Sequence, residues 1–376
     1  MGKALKNLDK PLLIVTLLLF VLGAIMVFSS SNVTAYMAKD ASPYSFFIKQ
    51  TLFLTAGFIL AFFMLPVSTK GYGRLSILLL LIVLASQALL PFFGVLRNNS
   101  RSWYDFGLVS YQPSEFMKVV TIIFLAYYYD RNKSKLNSYA RVFLPIVICL
   151  ASAALMFIEP DLGTMIIYGS IVGVIFLAQP IDLKIKLQTI FLGLAAVGLG
   201  ALILVGTGHS LLIDRQKDRI NAGNPCDNLL TTGNQICNGY IAINNGGLTG
   251  VGLGNSTQKY LYLPEPYTDF IFCIIIEELG LVTGLAIIAA YIFVLWRILL
   301  IGRRSQTNTG ATLCYGVAFY IFVHIAVNLL GLFGIIPMTG VPLPFMSYGG
   351  SFTICLIAAL TMVQKVNIEN RIGDNA

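Results

Sequence analysis

Charged side chains are scarce in this sequence of 376 residues. Asp, Glu, Lys and Arg make up 11% of the chain, whereas apolar residues make up 57% and the mean hydropathy is +0.79. Charged residues account for about 25% of a typical soluble domain, so this composition excludes an ordinary water-soluble protein. It indicates an integral membrane protein.

The sequence signals of common soluble enzymes are also missing. The chain has two histidines, and its six cysteines are not spaced for a Cys/His metal site. No Walker loop, Ser-His-Asp order or dinucleotide-binding glycine fingerprint occurs in a credible context. Any chemistry must therefore use carboxylates and bases, and no organic cofactor is expected.

Long apolar runs are the dominant feature that the sequence does contain. A helix needs about 20 apolar residues to cross the hydrocarbon core of a membrane. The runs predict an all-α polytopic membrane protein with about ten transmembrane helices. No cleavable signal peptide is expected, because the first run is a full span without a small-residue cleavage site. The predicted spans are 11–30, 46–66, 75–95, 113–129, 142–158, 162–179, 186–206, 269–296, 312–336 and 349–364.

Lys and Arg are distributed unevenly between the connections of these spans. Basic residues near span ends are retained in the cytoplasm, and one alternate set of connections holds sixteen of them. The short loops of the other set hold only Lys39, Arg97 and Arg101. Both termini are therefore predicted in the cytoplasm, with a large extracytoplasmic loop, 207–268, between helices 7 and 8. The net charge of +8 follows from this bias and does not indicate nucleic-acid binding.

The predicted external loop contains two cysteines and a glycine-rich run. An oxidising compartment would allow a disulfide between Cys226 and Cys237, with two free thiols as the alternative. The run 241–256 either lets the backbone approach a ligand or membrane closely, or forms a short amphipathic piece with a flexible turn. The other cysteines fall inside spans, where a buried thiol behaves as a small apolar group. These are Cys149, Cys273, Cys314 and Cys355.

The segment 262–272, YLPEPYTDFIF, carries the most informative carboxylate. It joins the external loop to an apolar helix, so Asp269 is predicted at the boundary between water and lipid. Pro264 and Pro266 fix their own φ and lack an amide donor, which stiffens the approach to Asp269. A carboxylate held in this way can act on a membrane-anchored substrate.

Several other ionisable residues fall in or beside the spans, where charge is costly and usually functional. Glu115 and Lys118 lie three residues apart on one helical face, and are interpreted either as a structural ion pair or as substrate contacts. Lys49 either snorkels to lipid headgroups or binds phosphate. One of Glu277 and Glu278 is predicted to face the bundle interior.

Two smaller patterns complete the set of polar sites. The loop 159–161, EPD, places two carboxylates at the outer surface, either as part of a metal site with Asp269 or simply solvated. His324 and Asn328 lie one helical turn apart in the ninth span. This spacing predicts a hydrogen-bonding site between helices.

Motifs along nearly the whole chain together resemble the SEDS family, the FtsW, RodA and SpoVE group, which implies a single transmembrane domain over 1–376. Each motif alone is a weak signal, but their combination in this order is highly specific. The motifs are RSWYDF at 101–106, QPSEFMK at 112–118, EPDLGT at 159–164, NNGGLTGVGLGNSTQKYLYLPEPYTDFIF at 244–272, EELG at 277–280 and PMTGVPLPFMSYGGS at 337–351.

The resemblance implies a peptidoglycan glycosyltransferase that acts on lipid II at the outer face of the bacterial cytoplasmic membrane. It implies that Asp269 is the general base for the acceptor's GlcNAc 4-hydroxyl, which attacks the donor's anomeric carbon while undecaprenyl pyrophosphate departs. The leaving group needs cations, so Lys49, Arg101, Lys118 or a divalent cation, Mg or Mn, is expected to stabilise it. The residues assigned to substrate binding are Lys49, Arg101, Glu115, Lys118, Asp161 and Glu278.

The chain also departs from the family pattern. Tyr267 stands where members often have His, so the family's reaction cannot generally require an imidazole at that position. Arg101 is followed by Ser102, whereas members commonly carry two adjacent arginines before the Trp. The segments RINAGNP and VPLPFMSYGG look more like FtsW than RodA, which favours septal synthesis with a class B penicillin-binding protein and other division proteins as partners.

Two alternative functions remain open at this point. Ten spans with polar residues near the outer third also suit a transporter that flips lipid II, although a flippase needs access from both leaflets and the charged residues lie toward one side. A scaffold that only recruits its penicillin-binding partner would tolerate the neutralisation of Asp269.

Overall fold

The computed structural model describes residues 6–37, 42–97, 100–107, 109–159, 161–206, 226, 233–260 and 262–373. Within these ranges the chain folds as a helical bundle with one small sheet. The helices are α1 (Lys10–Met37), α2 (Ser45–Met64), α3 (Thr69–Phe93), α4 (Pro113–Arg131), α5 (Tyr139–Ile158), α6 (Leu162–Ala178), α7 (Leu183–Gly206), α8 (Gly233–Gly246), α9 (Ile271–Arg303), α10 (Asn308–Leu332) and α11 (Gly350–Gly373).

The helices confirm the prediction of a polytopic, mostly helical membrane protein. All the described helices except α8 coincide with the predicted spans. Seven described helices are long and apolar enough to cross a membrane by length and composition: α1, α2, α3, α5, α9, α10 and α11. Helix α6 is a shorter apolar helix. Helix α4 is less apolar because it carries Glu115, Lys118, Asp130 and Arg131.

Burial separates the central helices from the peripheral ones. In α11 the most apolar stretch is 89% buried, whereas in α2 the corresponding value is 17%. Helix α11 therefore forms the middle of the bundle, and α2 exposes most of its apolar surface to the surroundings. Helix α10 packs against α4, α6, α9 and α11. This arrangement places the polar side chains of α4 and α10 face to face inside the bundle.

A three-stranded antiparallel sheet, not anticipated from the sequence, lies between α3 and α4. Its strands are β1 (Val95–Arg97), β2 (Ser100–Asp105) and β3 (Ser110–Tyr111), in the order β1-β2-β3. Val95 pairs with Trp103, and Tyr104 pairs with Tyr111. The sheet holds the RSWYDF segment at the end of the bundle where α4 begins.

Helix α9 is interrupted at Gly280, whose φ of 85° and ψ of 164° are not helical. The external segment supplies hydrogen bonds at the break: Val251 N donates to Glu277 O at 2.9 Å, and Leu281 N donates to Gly247 O at 3.0 Å. The backbones approach so closely that a Cβ on Gly250 would lie 2.3 Å from Glu278 O. The glycine-rich run therefore packs its backbone against α9.

The predicted external loop is described only in part, because 207–225, 227–232 and 261 lie outside the described residues. Cys226 and Cys237 are joined by a disulfide, with their Cα atoms 5.0 Å apart. Since Cys237 lies in α8, the bridge ties residue 226 to that helix. Helix α8 in turn packs along α9.

Candidate active site

Asp269 lies immediately before the first turn of α9. The helix begins at Ile271 with Phe270 as its N-cap residue, and Asp269 is half-buried. The unpaired N–H groups at a helix N-terminus favour a negative charge nearby. Thr268 Oγ1 donates a hydrogen bond to Asp269 Oδ1 at 2.8 Å. The hydrogen bond gives the carboxylate a defined orientation, and the helix N-terminus favours negative charge at this position.

The segment that carries Asp269 is held by the loop before α11. Ser347 Oγ donates to Thr268 O at 2.6 Å, and Tyr348 N donates to Tyr267 O at 2.9 Å. Gly340 in the same loop has φ 74°, and a Cβ there would lie 3.8 Å from Asp269 Oδ2. The stiffness expected from the prolines thus has a second source in this loop.

Tyr267 lies in an aromatic cluster with Phe46 and Tyr348. Its ring centroid is 4.5 Å from that of Phe46 and 5.9 Å from that of Tyr348. Burial, followed by the charge of Glu265, raises the pKa of Tyr267 to about 12. Tyr267 therefore remains a neutral phenol at neutral pH. It cannot replace an imidazole as a proton acceptor.

Lys118 connects two helices inside the bundle. Its Nζ lies 2.7 Å from Glu115 Oε1 on α4 and 3.0 Å from His324 Nε2 on α10. An ammonium group only donates hydrogen bonds, so Nε2 accepts, and the proton of His324 is on Nδ1. Glu115 and Lys118 thus form the buried ion pair that was one of their two interpretations. The pair lies in a polar part of the bundle interior.

Asn328 links this buried pair to Asp269. It lies one turn after His324, and its Nδ2 donates to Asp269 O at 2.9 Å and to Val341 O at 2.8 Å. One face of α10 therefore contacts both the Lys118 ammonium and the Asp269 backbone. The predicted hydrogen-bonding site between helices is present in the structure.

Asp161 lies at the edge of the same polar region. Its Oδ1 accepts from Thr164 N at 3.1 Å and caps α6, while its Oδ2 accepts from Gln112 Nε2 at 3.4 Å. Glu115 Oε2 and Asn328 Oδ1 are buried acceptors without a hydrogen bond to any described residue. Buried polar atoms normally have partners, so these acceptors mark a place suited to a polar ligand or water.

Comparison with known proteins identifies the family. A family model described as a cell cycle protein, for FtsW, RodA and SpoVE, matches residues 10–372. The chain belongs to the FtsW/RodA/SpoVE family. It is 37% identical to stage V sporulation protein E of Bacillus subtilis over 96% of this chain and 98% of that protein. It is 33% identical to the probable peptidoglycan glycosyltransferase FtsW of the same organism, over 99% and 94% of the two chains.

A solved structure shows the same fold. A chain from a peptidoglycan synthase complex superposes with a TM-score of 0.72 and 22% identity, covering 96% of this chain and 97% of that chain. At this identity the likeness concerns the fold alone. It agrees with the polytopic helical architecture of the FtsW/RodA/SpoVE family member described above.

Lys49, Arg101 and Glu278 lie outside the hydrogen-bonded network around Asp269. Lys49 is half-buried, three residues after Phe46, and has no ion-pair partner within the described ranges. The exposed Arg101 donates from Nη1 to Pro91 O at 2.8 Å. The Glu278 carboxylate lies 2.9 Å from Lys259 Nζ and also accepts from Ser29 Oγ. Of these three residues, Lys49 is the one whose helix, α2, also carries a residue of the aromatic cluster beside Asp269, Phe46.

Lys259 is a buried cation that no sequence motif singled out. Its side chain and that of Glu278 are both 0% exposed. The neighbouring Glu277 accepts from Thr257 N at 3.1 Å, from Asn245 Nδ2 at 3.2 Å and from Ser256 Oγ. Glu277 and Glu278 are two acids inside a span, and such acids require partners. This requirement was the sequence signal that could have pointed to Lys259 in the adjoining external segment. These contacts bind that segment to the outer half of α9.

The donor set does not form a ready metal centre. In the part of the chain that the structure describes, no group of three or more His, Cys, Asp or Glu side chains is placed to hold a metal ion. Glu115 is already paired with Lys118, and Asp161 caps α6.

Glu159, at the end of α5, predicts a pH dependence of stability. Only 3% of the residue is exposed, and burial, followed by the charge of Asp161, raises the pKa of its carboxyl from 4.5 to about 8. The folded state holds this proton more tightly than the unfolded state, so stability falls as the pH rises from 4.5 to about 8. Glu159→Gln should remove this pH-dependent fall in stability.

Melting temperatures of the wild type and Glu159→Gln across that pH range would test this prediction. The variant should gain stability relative to the wild type as the pH rises. Asp182→Asn, which changes an exposed acid, serves as the control. A constant difference between Glu159→Gln and the wild type at every pH would contradict the buried, protonated state of Glu159.

Proposed function

We propose that this chain is a peptidoglycan glycosyltransferase that polymerises lipid II at the outer face of the bacterial cytoplasmic membrane. The observation that carries the proposal is Asp269, held at the N-terminus of α9 by Thr268, Asn328 and the loop before α11. Full-length similarity to proteins named peptidoglycan glycosyltransferase supports the reaction class. The distribution of Lys and Arg supports the outward orientation.

Asp269 acts as the general base in the proposed reaction. Its carboxylate takes the proton of the acceptor's GlcNAc 4-hydroxyl as that oxygen bonds to the anomeric carbon of the donor. The bond from that carbon to the lipid pyrophosphate breaks, and undecaprenyl pyrophosphate leaves with the electron pair. General-base catalysis of this kind contributes about 10²- to 10⁴-fold.

The departing pyrophosphate requires positive charge. Lys118 is neutralised by Glu115 at 2.7 Å, and the Arg101 guanidinium is directed to Pro91 O. Lys49 lies three residues after Phe46, a member of the Tyr267 cluster, and it has no ion-pair partner within the described ranges. We therefore assign Lys49 to the leaving group and the Glu115–Lys118 pair to shaping the polar interior.

Division is the favoured process, with a class B penicillin-binding protein as partner. The family name, cell cycle protein, and the FtsW relatives support a septal role. Similarity of fold to a chain of a peptidoglycan synthase complex agrees with a partnered enzyme. The proposal also includes other division proteins as partners. A divalent cation, Mg or Mn, is a condition to be varied in the assay.

Incubation of the purified chain with lipid II, alone and with its cognate class B partner, tests the proposal. The partner should carry an inactivated transpeptidase site, so that only polymerisation is measured, and each reaction should be run with and without Mg or Mn. Glycan strands resolved by gel electrophoresis are the expected product. Absence of polymer from a well-folded chain with its partner would favour the flippase or the scaffold, and transfer of labelled lipid II across vesicle membranes would distinguish these two.

A further inference from the structure

A basic cavity lies at the end of the bundle opposite to Asp269. Helix α3 begins there and α4 ends there, whereas the Asp269 network lies where α4 begins. The cavity has a volume of about 190 Å³ and is enclosed by three helices. Its lining residues are Lys70 and Arg74 from α3, Tyr127, Asp130 and Arg131 from α4, and Thr309 from α10.

Positive charge dominates this cavity. Lys70, Arg74 and Arg131 are exposed, and none of them has an ion-pair partner within the described ranges. The one lining carboxylate, Asp130, accepts a hydrogen bond from Thr309 Oγ1 at 2.7 Å. The lining therefore keeps an excess of two positive charges that the protein itself does not neutralise.

Packing between α3 and α4 fixes the position of one of these cations. A Cβ on Gly73 would lie 2.2 Å from the Tyr127 ring, so the absence of a side chain at residue 73 lets that ring lie on the backbone of α3. Arg131 Nη1 donates to Tyr127 OH at 3.3 Å. This bond holds the Arg131 guanidinium at Tyr127, in the cavity that Lys70 and Arg74 also line.

We propose that this cavity binds a phosphate group, supplied by the headgroup of an anionic phospholipid of the cytoplasmic leaflet. Basic pockets between transmembrane helices on the cytoplasmic side suit such headgroups. The guanidinium groups of Arg74 and Arg131 match phosphate oxygens in a bidentate geometry. Tyr127 is an amphipathic ring of the kind enriched at the membrane interface. The cavity opens where the predicted cytoplasmic interface meets the bundle.

The decisive comparison is between two variants with the same change in charge. Lys70→Gln/Arg74→Gln removes two cations from the cavity, and Lys133→Gln/Lys135→Gln removes two exposed cations from the neighbouring connection. The full-length protein is extracted from nanodiscs of mixed phosphatidylglycerol and phosphatidylcholine, and retained lipid is counted by native mass spectrometry. Retention of phosphatidylglycerol should fall about fivefold for each cavity cation removed. The Lys133/Lys135 variant should match the wild type.

Asp130→Asn provides a test with the opposite sign. It removes the one negative charge of the lining while keeping an oxygen that accepts from Thr309, so retention of phosphatidylglycerol should rise about fivefold. Arg74→Lys, which keeps the charge but loses the bidentate guanidinium, should lower retention less than Arg74→Gln does. Equal losses in both double variants, or no gain from Asp130→Asn, would overturn the proposal in favour of diffuse attraction to the basic face.

Inorganic phosphate distinguishes the source of the anion. Added to the wild type, it should not displace phosphatidylglycerol, because a free anion lacks the acyl chains that contribute to membrane binding. Displacement by inorganic phosphate would show that the cavity takes a soluble anion and would overturn the lipid assignment. Melting temperatures of the variants that replace Lys70, Arg74, Lys133 and Lys135 should stay close to that of the wild type, since these cations are exposed.

Discussion

Asp269→Asn should lower the rate of glycan polymerisation by about 10²- to 10⁴-fold and leave the fold intact. Asn has the shape of Asp but cannot accept the proton of an attacking hydroxyl. The bond from Thr268 Oγ1 to the side-chain oxygen and the bond from Asn328 to the backbone oxygen are both retained. The expected loss is therefore chemical, with stability and partner binding unchanged.

The matched measurement uses lipid II polymerisation with the cognate partner, together with melting temperature and co-purification of the partner. Asp182→Asn controls for the loss of one negative charge, because this carboxylate is exposed and lies just before α7. A wild-type rate of polymerisation from a well-folded Asp269→Asn protein would show that Asp269 is not the general base.

The main elements of this fold follow from local sequence properties. Apolar runs of sufficient length can satisfy their backbone only as helices in lipid, so the positions of the spans were predictable. Their ends were less so, since α11 ends at Gly373 and its predicted span ends at 364. The junction that carries Asp269 was predictable because Pro264 and Pro266 stand where an external segment becomes an apolar helix. The structure starts α9 at Ile271, which leaves Asp269 just outside the helix.

The contacts that organise the site depend on residues far apart in the chain. Lys118 and His324 are separated by 206 positions, and no periodicity within either helix indicates that pairing. The break at Gly280 was also hidden, since the apolar pattern continues through it and the hydrogen bonds at the break come from the external segment. The sheet that contains Arg101 escaped prediction because its strands have at most six residues.

Lys259→Met should cause a large loss of stability. It leaves the Glu278 carboxylate, fully buried at 2.9 Å from Lys259, without its counter-ion. Removal of one partner from a buried ion pair costs about 3–5 kcal/mol. Polymerisation should also fall, because Lys259 and Glu278 join the outer half of α9 to the segment that leads to Asp269.

The double variant Lys259→Met/Glu278→Gln separates this positioning role from substrate binding by Glu278. Once both charges are removed, no buried charge is left unpaired, and most of the lost stability should return, measured as a coupling free energy in a double-mutant cycle. Lys135→Met, which changes an exposed cation, should alter stability by at most about 0.5 kcal/mol. If Glu278→Gln alone abolished polymerisation at unchanged stability, Glu278 would act on the substrate. If both single variants lose stability and the double variant recovers it together with activity, the buried pair acts on catalysis through the position of Asp269.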